Sequence, residues 1–221
     1  MSWSDIFYPD NPRRRERVTR LHQELINCME LNFDATNDLI GALNTHCQCK
    51  LHPIHIQEKG TLQDNCNVLL AAIKAVQGEL QDIDEQLKRK LEPHLYRKLH
   101  DFQEPESKKM QILRSVTTVV AGLTGTVAMG IFVKLALSEV GTIILSRLMT
   151  VVVKIGVSVG GAVAGILLGA GVDMIVSAIL GAVERSQLEE AIEELEGIVK
   201  EFKPASKEYS KTIMRVMLML S

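Results

Sequence analysis

The sequence has few aromatic residues, few prolines and no excess of charge of one sign. Aromatics make up 4% of the 221 residues, six prolines are present, and 25 basic against 27 acidic side chains give a net charge of −2. The balanced charge argues against nucleic acid as a partner. The shortage of proline and the abundance of helix-forming residues argue against an all-β protein. We therefore expect an all-α fold with a mainly aliphatic core.

We also expect no cleavable secretory signal. The first ten residues lack the basic segment followed by an apolar stretch of about 7–15 residues that marks such a signal. The four cysteines, Cys28, Cys47, Cys49 and Cys66, all precede the most apolar part of the chain. Without a signal we expect reduced thiols and a cytosolic N-terminal region.

Charge and glycine divide the chain into three regions. Residues 112–183 carry six charged side chains and eleven of the fifteen glycines. We expect residues 1–111 to be an amphipathic, coiled-coil-like helical region and residues 184–221 to be a C-terminal amphipathic helix. Residues 112–183 are expected to form an apolar, glycine-rich helical hairpin that is inserted into a membrane or buried.

Three long helices are predicted from apolar positions that alternate three and four residues apart, called seams here. The first seam contains Val18, Leu21, Leu25, Cys28, Asn32, Ala35, Leu39 and Ala42. The second contains Leu62, Cys66, Leu69, Ile73, Val76, Leu80, Ile83 and Leu87. The third contains Leu188, Ile192, Leu195, Val199, Phe202, Ser206, Tyr209, Ile213, Val216 and Leu220.

Local signals refine these helices. Thr61 and Asp64 resemble a capping box at the start of the second helix. Pro93 interrupts the chain before a short helix predicted from Leu95 to Phe102. Pro204 lies off the third seam and predicts a kink or brief break with the same face continued. Asn32 is the polar member of the first seam, and such a residue can fix register.

The seams need a surface to pack against. They can pack on one another within the chain, as an elongated bundle around or beside the apolar hairpin. They can also form a coiled coil with a second copy or with a helical protein partner. We prefer the bundle, because short connections favour antiparallel neighbouring helices.

Two uncharged runs, residues 115–133 and 155–172, are candidates to cross a bilayer, which takes about 20 helical residues. Glycines four residues apart favour close packing of membrane helices, and Asp173 would need a polar contact there. The predicted packing residues are Gly156, Gly160, Gly161, Gly165, Gly169 and Asp173. One span over residues 155–183 gives a single-pass protein with a cytosolic N-terminal region. Insertion of both runs gives a hairpin with both ends on one side.

Two motifs suggest chemistry but have simpler explanations. Gly156–Gly160 matches the G-x-S-x-G hydrolase motif, but no histidine follows His100 to activate the serine. The basic run Arg13–Arg20 is interrupted by Glu16 and is interpreted as a solvated helix face, with lipid contact as an alternative.

A group of five potential metal ligands lies between the first two predicted helices: His46, Cys47, Cys49, His52 and His55. Their spacing is not that of a familiar zinc finger, so an exposed loop with a short extended piece at residues 54–56 is preferred. No catalytic, cofactor or metal residues are predicted, and we expect a protein that is not an enzyme.

Three segments carry a family resemblance. They are Phe7-Tyr8-Pro9 with Asn11-Pro12-Arg13-Arg14 and Leu21-His22-Gln23, then Leu91-Glu92-Pro93 with Leu95–Leu99, and Asp173–Val176 with Ala178–Glu184. In these segments the chain resembles the single-pass membrane and coiled-coil domain-containing protein 3 family. The resemblance implies a membrane protein with a coiled-coil region, and it supplies no catalytic residues.

Two functions follow as hypotheses. The first is a non-enzymatic helical membrane protein, a scaffold or partner-binding protein with a transmembrane segment near residues 155–183. The second is a soluble helical bundle with a sheltered apolar hairpin that inserts into or permeabilises membranes. That arrangement is similar in pattern to α-pore-forming or apolipoprotein-L-like proteins.

Overall fold

The computed structural model describes residues 11–99, 146–153 and 185–220. Four helices are bounded within these residues: α1 (Asn11–Cys47), α2 (Leu62–Lys90), α3 (Pro93–Leu99) and α4 (Arg185–Leu220). Residues 146–153 are also helical, and no strand is found in the described ranges. The predicted all-α fold class is confirmed.

The described residues fall into two compact units. Unit 1 comprises residues 11–33, 55–70, 148–153 and 185–207, and unit 2 comprises residues 34–54, 71–99, 146–147 and 208–220. The early parts of α1, α2 and α4 belong to unit 1, and their later parts belong to unit 2. The predicted three-region division at residues 111 and 183 stays a prediction.

Unit 1 has a core of seam residues from all three long helices. Its buried seam positions are Val18, Leu21, Leu25, Cys28, Asn32, Leu62, Cys66, Leu69, Ile192, Leu195, Val199, Phe202 and Ser206. The polar members of two seams meet there, because the Asn32 amide donates to the Ser206 hydroxyl at 2.9 Å. Ser206 in turn donates to the Phe202 carbonyl at 2.8 Å. The polar seam residue therefore pairs across helices.

Ion pairs fix the direction of α4 beside α1 in unit 1. Arg14 pairs with Glu189, and Arg17 donates to both carboxylate oxygens of Glu196 at 2.5 and 2.6 Å. Further along both helices, Lys203 contacts Glu24 at 3.1 Å. Residue numbers increase together along the two helices, so α1 and α4 run parallel. Part of the basic run, predicted as a solvated face, therefore pairs with acidic residues of α4.

Unit 2 continues the same helices with its own core. Its buried seam positions are Ala35, Leu39, Ala42, Ile73, Val76, Tyr209 and Ile213, whereas Leu80 and Ile83 are half-buried. The hydroxyls of Thr36 and Tyr209 lie 3.0 Å apart in this core. Burial raises the pKa of Tyr209 to about 12, against the opposing effect of that hydrogen bond. On α3, Tyr96 donates to Asp84 of α2 at 3.1 Å.

The buried face of α1 is wider than its predicted seam. Additional buried residues are His22, Met29 and Phe33 in unit 1 and Thr36, Ile40 and Leu43 in unit 2. A two-stranded coiled coil buries a narrow seam, whereas a helix in a globular bundle buries a broader stripe. The width of the stripe favours a bundle formed within the chain.

The connection after α1 is not the short turn that supported the bundle prediction. Residues 48–61 separate the helices, and residues 51–54 turn back along α1. The early part of α2 belongs to the same unit as the early part of α1, and the later parts share the other unit. The antiparallel arrangement expected from a short connection stays a prediction.

Two local predictions have clear outcomes. The capping box is formed, since the Thr61 hydroxyl accepts from the Asp64 N–H at 3.1 Å and Asp64 accepts from the Thr61 N–H at 2.9 Å. The Thr61 hydroxyl also donates to the Asp64 carboxylate at 2.7 Å, and this bond together with that from the Thr61 N–H lowers the pKa of Asp64. Helix α4 continues without a break through Pro204. Because Pro204 lies on the exposed side, the carbonyl that it leaves unbonded can be hydrated, and the seam residues on either side stay buried.

Candidate interaction segment

The residues predicted to pack in a membrane lie outside the described residues. They are Gly156, Gly160, Gly161, Gly165, Gly169 and Asp173. The uncharged runs 115–133 and 155–172 lie outside them as well. Within residues 11–99, 146–153 and 185–220, no helix has both the length and the apolar character needed to cross a bilayer.

The histidine and cysteine group, which begins in the last turn of α1 and continues into the connection to α2, brings no metal-binding cluster together in the described structure. Within the described ranges, no three His, Cys, Asp or Glu side chains come together in a way that could hold an ion. Burial raises the pKa of Cys47 to about 11. Burial and the neighbouring Glu79 raise the pKa of Cys49 to about 12. Protonated thiols are poor nucleophiles.

Two asparagines of α1 hold the returning chain in unit 2. The Asn44 amide donates to the Leu51 carbonyl at 2.8 Å and accepts from the Leu51 N–H at 2.9 Å. The Asn37 amide makes the same pair of bonds with Ile54, at 2.9 and 2.8 Å. We call this arrangement, in which one side-chain amide bonds both backbone groups of one residue, an asparagine clasp.

The spacing of the two clasps fits a polyproline II conformation of residues 51–54, called the clasped segment here. Asn37 and Asn44 are seven residues apart, which is about 10.5 Å along a helix. Leu51 and Ile54 are three residues apart, which is about 9.3 Å in a polyproline II helix. That helix has about three residues per turn, so the two residues present their backbone groups to the same side. In a β-strand they would present them to opposite sides.

The clasped segment exposes the residues between its clasps. Leu51 and Ile54 are half-buried, whereas His52 and Pro53 are exposed. Pro53 suits this position because proline lacks an N–H and its φ matches polyproline II. The result is a short, ordered piece of extended chain that presents an imidazole and a proline ring to solvent.

The chain leaves α1 through a strained residue. Helix α1 ends at Cys47, and Gln48 follows with a φ of 56°. This left-handed conformation commonly ends helices and is usually occupied by glycine. The Cys49 N–H then bonds the Leu43 carbonyl at 3.4 Å. Gln48 therefore redirects the chain toward the clasps.

A third clasp holds the chain before α2 in unit 1. The Asn65 amide accepts from the Gln57 N–H at 2.7 Å and donates to the Gln57 and Thr61 carbonyls, each at 3.0 Å. The turn contains Gly60, where an added Cβ would lie 2.9 Å from the Gln57 Cβ and 3.1 Å from its carbonyl oxygen. The close approach of the turn therefore requires glycine at position 60.

Sequence reasoning missed the clasps. It predicted an exposed loop with a short extended piece at residues 54–56, whereas the clasped residues are Leu51, Ile54 and Gln57. The available signal was asparagine inside predicted helices, where its helix propensity is poor. Asn37 and Asn44 share one helix face beside the seam, which is the arrangement that two clasps on one chain require.

The described structure defines a class of protein, an all-α helical bundle. The chain belongs to the family described as protein of unknown function DUF4533, whose sequence profile matches residues 14–177. The matched range includes both α1 clasps and the clasped segment, and it ends before α4. No solved structure matches the chain.

Proposed function

We propose that the protein is a non-enzymatic helical membrane protein that acts as a scaffold or partner-binding protein. In this proposal the bundle is the polar module, and residues 155–183, with or without residues 115–133, insert into the bilayer. The N-terminal region is on the cytosolic side. Two facts support the proposal. The described seam residues of α1 and α4 are buried within the chain. The two apolar runs lie in the sequence between α3 and α4.

The glycines and Asp173 keep their proposed roles. Gly156, Gly160, Gly161, Gly165 and Gly169 would allow close approach of a neighbouring helix, and Asp173 would make a polar contact. A partner helix that used the heptad seams would first have to displace one of the chain's own helices. Partner binding through exposed chain, such as the clasped segment, needs no such opening.

Alkaline carbonate extraction of membranes from cells that express the full chain tests insertion. We expect the protein to remain in the membrane pellet. The variant Leu167→Lys/Leu168→Lys should be released, because each lysine near the centre of a membrane helix costs about 2.5–3.5 kcal/mol. The matched control, Gln81→Lys/Asp82→Lys, changes exposed positions on α2 and should stay in the pellet. Release of the wild-type protein would refute integral insertion.

A second candidate function is supported by residues 146–153. These residues belong to the apolar region, yet Leu148, Val151 and Val152 are 0%, 6% and 1% exposed. Part of the apolar region thus packs within the chain's own core in unit 1. This favours the soluble bundle with a sheltered hairpin that inserts into or permeabilises membranes.

Purification without detergent separates the two candidates. A sheltered hairpin predicts a monodisperse protein in water that releases dye from liposomes when added to them. Constitutive insertion predicts a protein that aggregates or requires detergent. A protein that is monodisperse in water and leaves liposomes intact would contradict the second candidate.

A further inference from the structure

We propose that the end of α2 and the adjoining helix α3 form a docking surface for the anionic headgroups of a phospholipid membrane. The surface, called the basic patch here, consists of Lys88, Arg89, His94 and Arg97 of unit 2. The inference rests on the membrane attachment proposed above, and it adds the lipid chemistry that the polar bundle recognises.

The first support is the separation of charge along α2 and α3. Residues 79–85 carry four acidic and no basic side chains, whereas residues 86–99 carry five basic side chains and one acidic side chain. With neutral histidine the second stretch has a charge of +4, in a chain whose net charge is −2. All four residues of the basic patch are exposed. Clustered basic side chains at a protein surface attract anionic lipid headgroups.

The second support is a hydrogen bond that brings the two helices of the patch together. Tyr96 of α3 donates to Asp84 of α2 at 3.1 Å. Lys88 is one helical turn after Asp84, and Arg97 follows Tyr96 directly. His94 lies three residues before Arg97, and residues at this spacing are neighbours on a helix surface. The contact therefore gathers positive charge from two helices at one place on unit 2.

The third support is that Lys88 and Arg97 keep their charge for a ligand. Neither side chain forms an ion pair with an acidic residue in the part of the chain that the structure describes. Arg97 donates through Nε to the Pro93 carbonyl at 3.3 Å. A backbone carbonyl does not neutralise a guanidinium, so this residue still presents a full positive charge.

Two acidic side chains lie beside the patch without neutralising it. Glu85 pairs with Arg89 at 3.2 Å, and Glu92 contacts Nδ1 of His94 at 3.2 Å. All four side chains are more than half exposed. Exposed ion pairs contribute little stability and are screened by salt, so a headgroup phosphate can replace either carboxylate.

The basic run of α1 has no comparable free charge. Arg14 and Arg17 pair with Glu189 and Glu196 in unit 1. Binding a headgroup there would break contacts between α1 and α4. The basic patch can bind one without opening the helix contacts of unit 2.

A membrane fits the patch better than a nucleic acid does. Single-stranded nucleic acid is bound by aromatic side chains beside basic ones, but Tyr96 is half-buried and bonded to Asp84. The acidic stretch 79–85 would repel a phosphate backbone that extended along α2. A headgroup needs only a local contact. The uncharged run 115–133 begins 16 residues after α3, which is at most about 55 Å of extended chain.

Flotation of the full chain with lipid vesicles tests the proposal. The background protein is Leu123→Asp/Leu167→Asp/Leu168→Asp, because aspartate in both apolar runs opposes insertion and leaves headgroup binding to be measured alone. We expect it to float with phosphatidylcholine vesicles that contain about 20% phosphatidylserine, and not with phosphatidylcholine alone. High salt should abolish this binding.

Neutralising the patch on this background should weaken the binding. Lys88→Gln/Arg97→Gln should weaken it about 25-fold, since each basic side chain near an anionic surface contributes about fivefold. The matched control, Lys74→Gln/Lys211→Gln, removes the same charge from exposed positions of unit 2 outside the patch. Its effect should be below about threefold.

Hydrogen exchange of the wild-type full chain with the same two vesicle types gives a second test, which does not depend on the solubility of the background. Peptides covering residues 86–99 should exchange more slowly when phosphatidylserine is present, and Lys88→Gln/Arg97→Gln should remove that difference. Peptides covering residues 62–76 should exchange equally with both vesicle types.

Three results would overturn the proposal. The first is equal flotation with and without phosphatidylserine, or equal flotation of the patch variant and its background. The second is equal exchange of residues 86–99 with both vesicle types. The third is a labelled RNA that binds through Lys88 and Arg97 while vesicles do not, which would assign the patch to nucleic acid. Carbonate extraction of the wild type reads out insertion separately, so the two proposals can fail independently.

Discussion

Replacing Asn37 by aspartate tests one hydrogen bond of the clasp on Ile54. Aspartate still accepts from the Ile54 N–H, but it cannot donate to the Ile54 carbonyl oxygen, which lies 2.9 Å from the Asn37 amide nitrogen. A carboxylate oxygen would face that carbonyl instead. Loss of the bond and the uncompensated carbonyl together should cost about 1–3 kcal/mol of unfolding free energy at pH 7.

Urea denaturation followed by circular dichroism measures this change, and Asn27→Asp is the matched control. Asn27 is exposed on the same helix and only accepts, from Gln23 at 3.0 Å, so aspartate preserves its bond. Its effect should be below about 0.5 kcal/mol. Asn44→Asp should lower the unfolding free energy by a similar amount, since the two hydrogen bonds between Asn44 and Leu51 have similar lengths.

The pH dependence of Asn37→Asp gives an independent check. Only the protonated acid can donate to the Ile54 carbonyl, so the folded pKa of the new carboxyl should exceed its ordinary value of about 3.9. A raised folded pKa means stability that is present below the unfolded pKa and lost as pH rises. The deficit relative to wild type should therefore shrink as pH falls toward 4. Equal stability of Asn37→Asp and wild type at pH 7 would refute the clasp.

Three further predictions concern stability. In urea denaturation, Gly60→Ala should destabilise the protein by about 1–3 kcal/mol, because the added Cβ would meet Gln57. Gly78→Ala should stabilise the protein by about 0.5–1 kcal/mol, because an added Cβ would have no atom within 4 Å. Equal effects of the two substitutions would contradict this prediction. Burial lowers the pKa of His22, whose Nε2 has no hydrogen-bond partner in the described structure. Acidification below about pH 6.5 should therefore destabilise the wild-type protein, because the folded state resists protonation of this imidazole. The variant His22→Met should not show this loss of stability. A constant difference between these two proteins from pH 7.5 to 5 would refute that assignment. Gln48→Gly should raise the melting temperature, because glycine adopts the positive φ at this position without strain; the expected gain in unfolding free energy is about 0.5–1 kcal/mol. A lower melting temperature for this variant would show that Gln48 is not strained.

The helices and their buried faces could be predicted from sequence because they depend on local periodicity. Apolar spacing placed Leu21, Leu39 and Phe202 in the core, and the Thr61–Asp64 pair placed the start of α2. Each of these signals is contained within a few turns of one helix. The greater width of the buried α1 face follows from packing against several helices, which a single seam does not encode.

The clasps could not be predicted in the same way. They depend on where residues 48–61 go after α1, and that path is set by Gln48 in a left-handed conformation and by hydrogen bonds between separate parts of the chain. Sequence spacing carries no direct record of such tertiary bonds. The continuity of α4 at Pro204 likewise depends on which side of the helix faces water, a tertiary property.

Amide hydrogen exchange at residues 51–57 tests the clasped chain most directly. The N–H groups of Leu51, Ile54 and Gln57 donate to asparagine side chains, whereas those of His52 and His55 have no partner among the described residues. After correction for intrinsic rates, the three clasped amides should exchange at least about tenfold more slowly than the two histidine amides. Uniformly fast exchange across these residues would show that the chain between α1 and α2 is a loose loop.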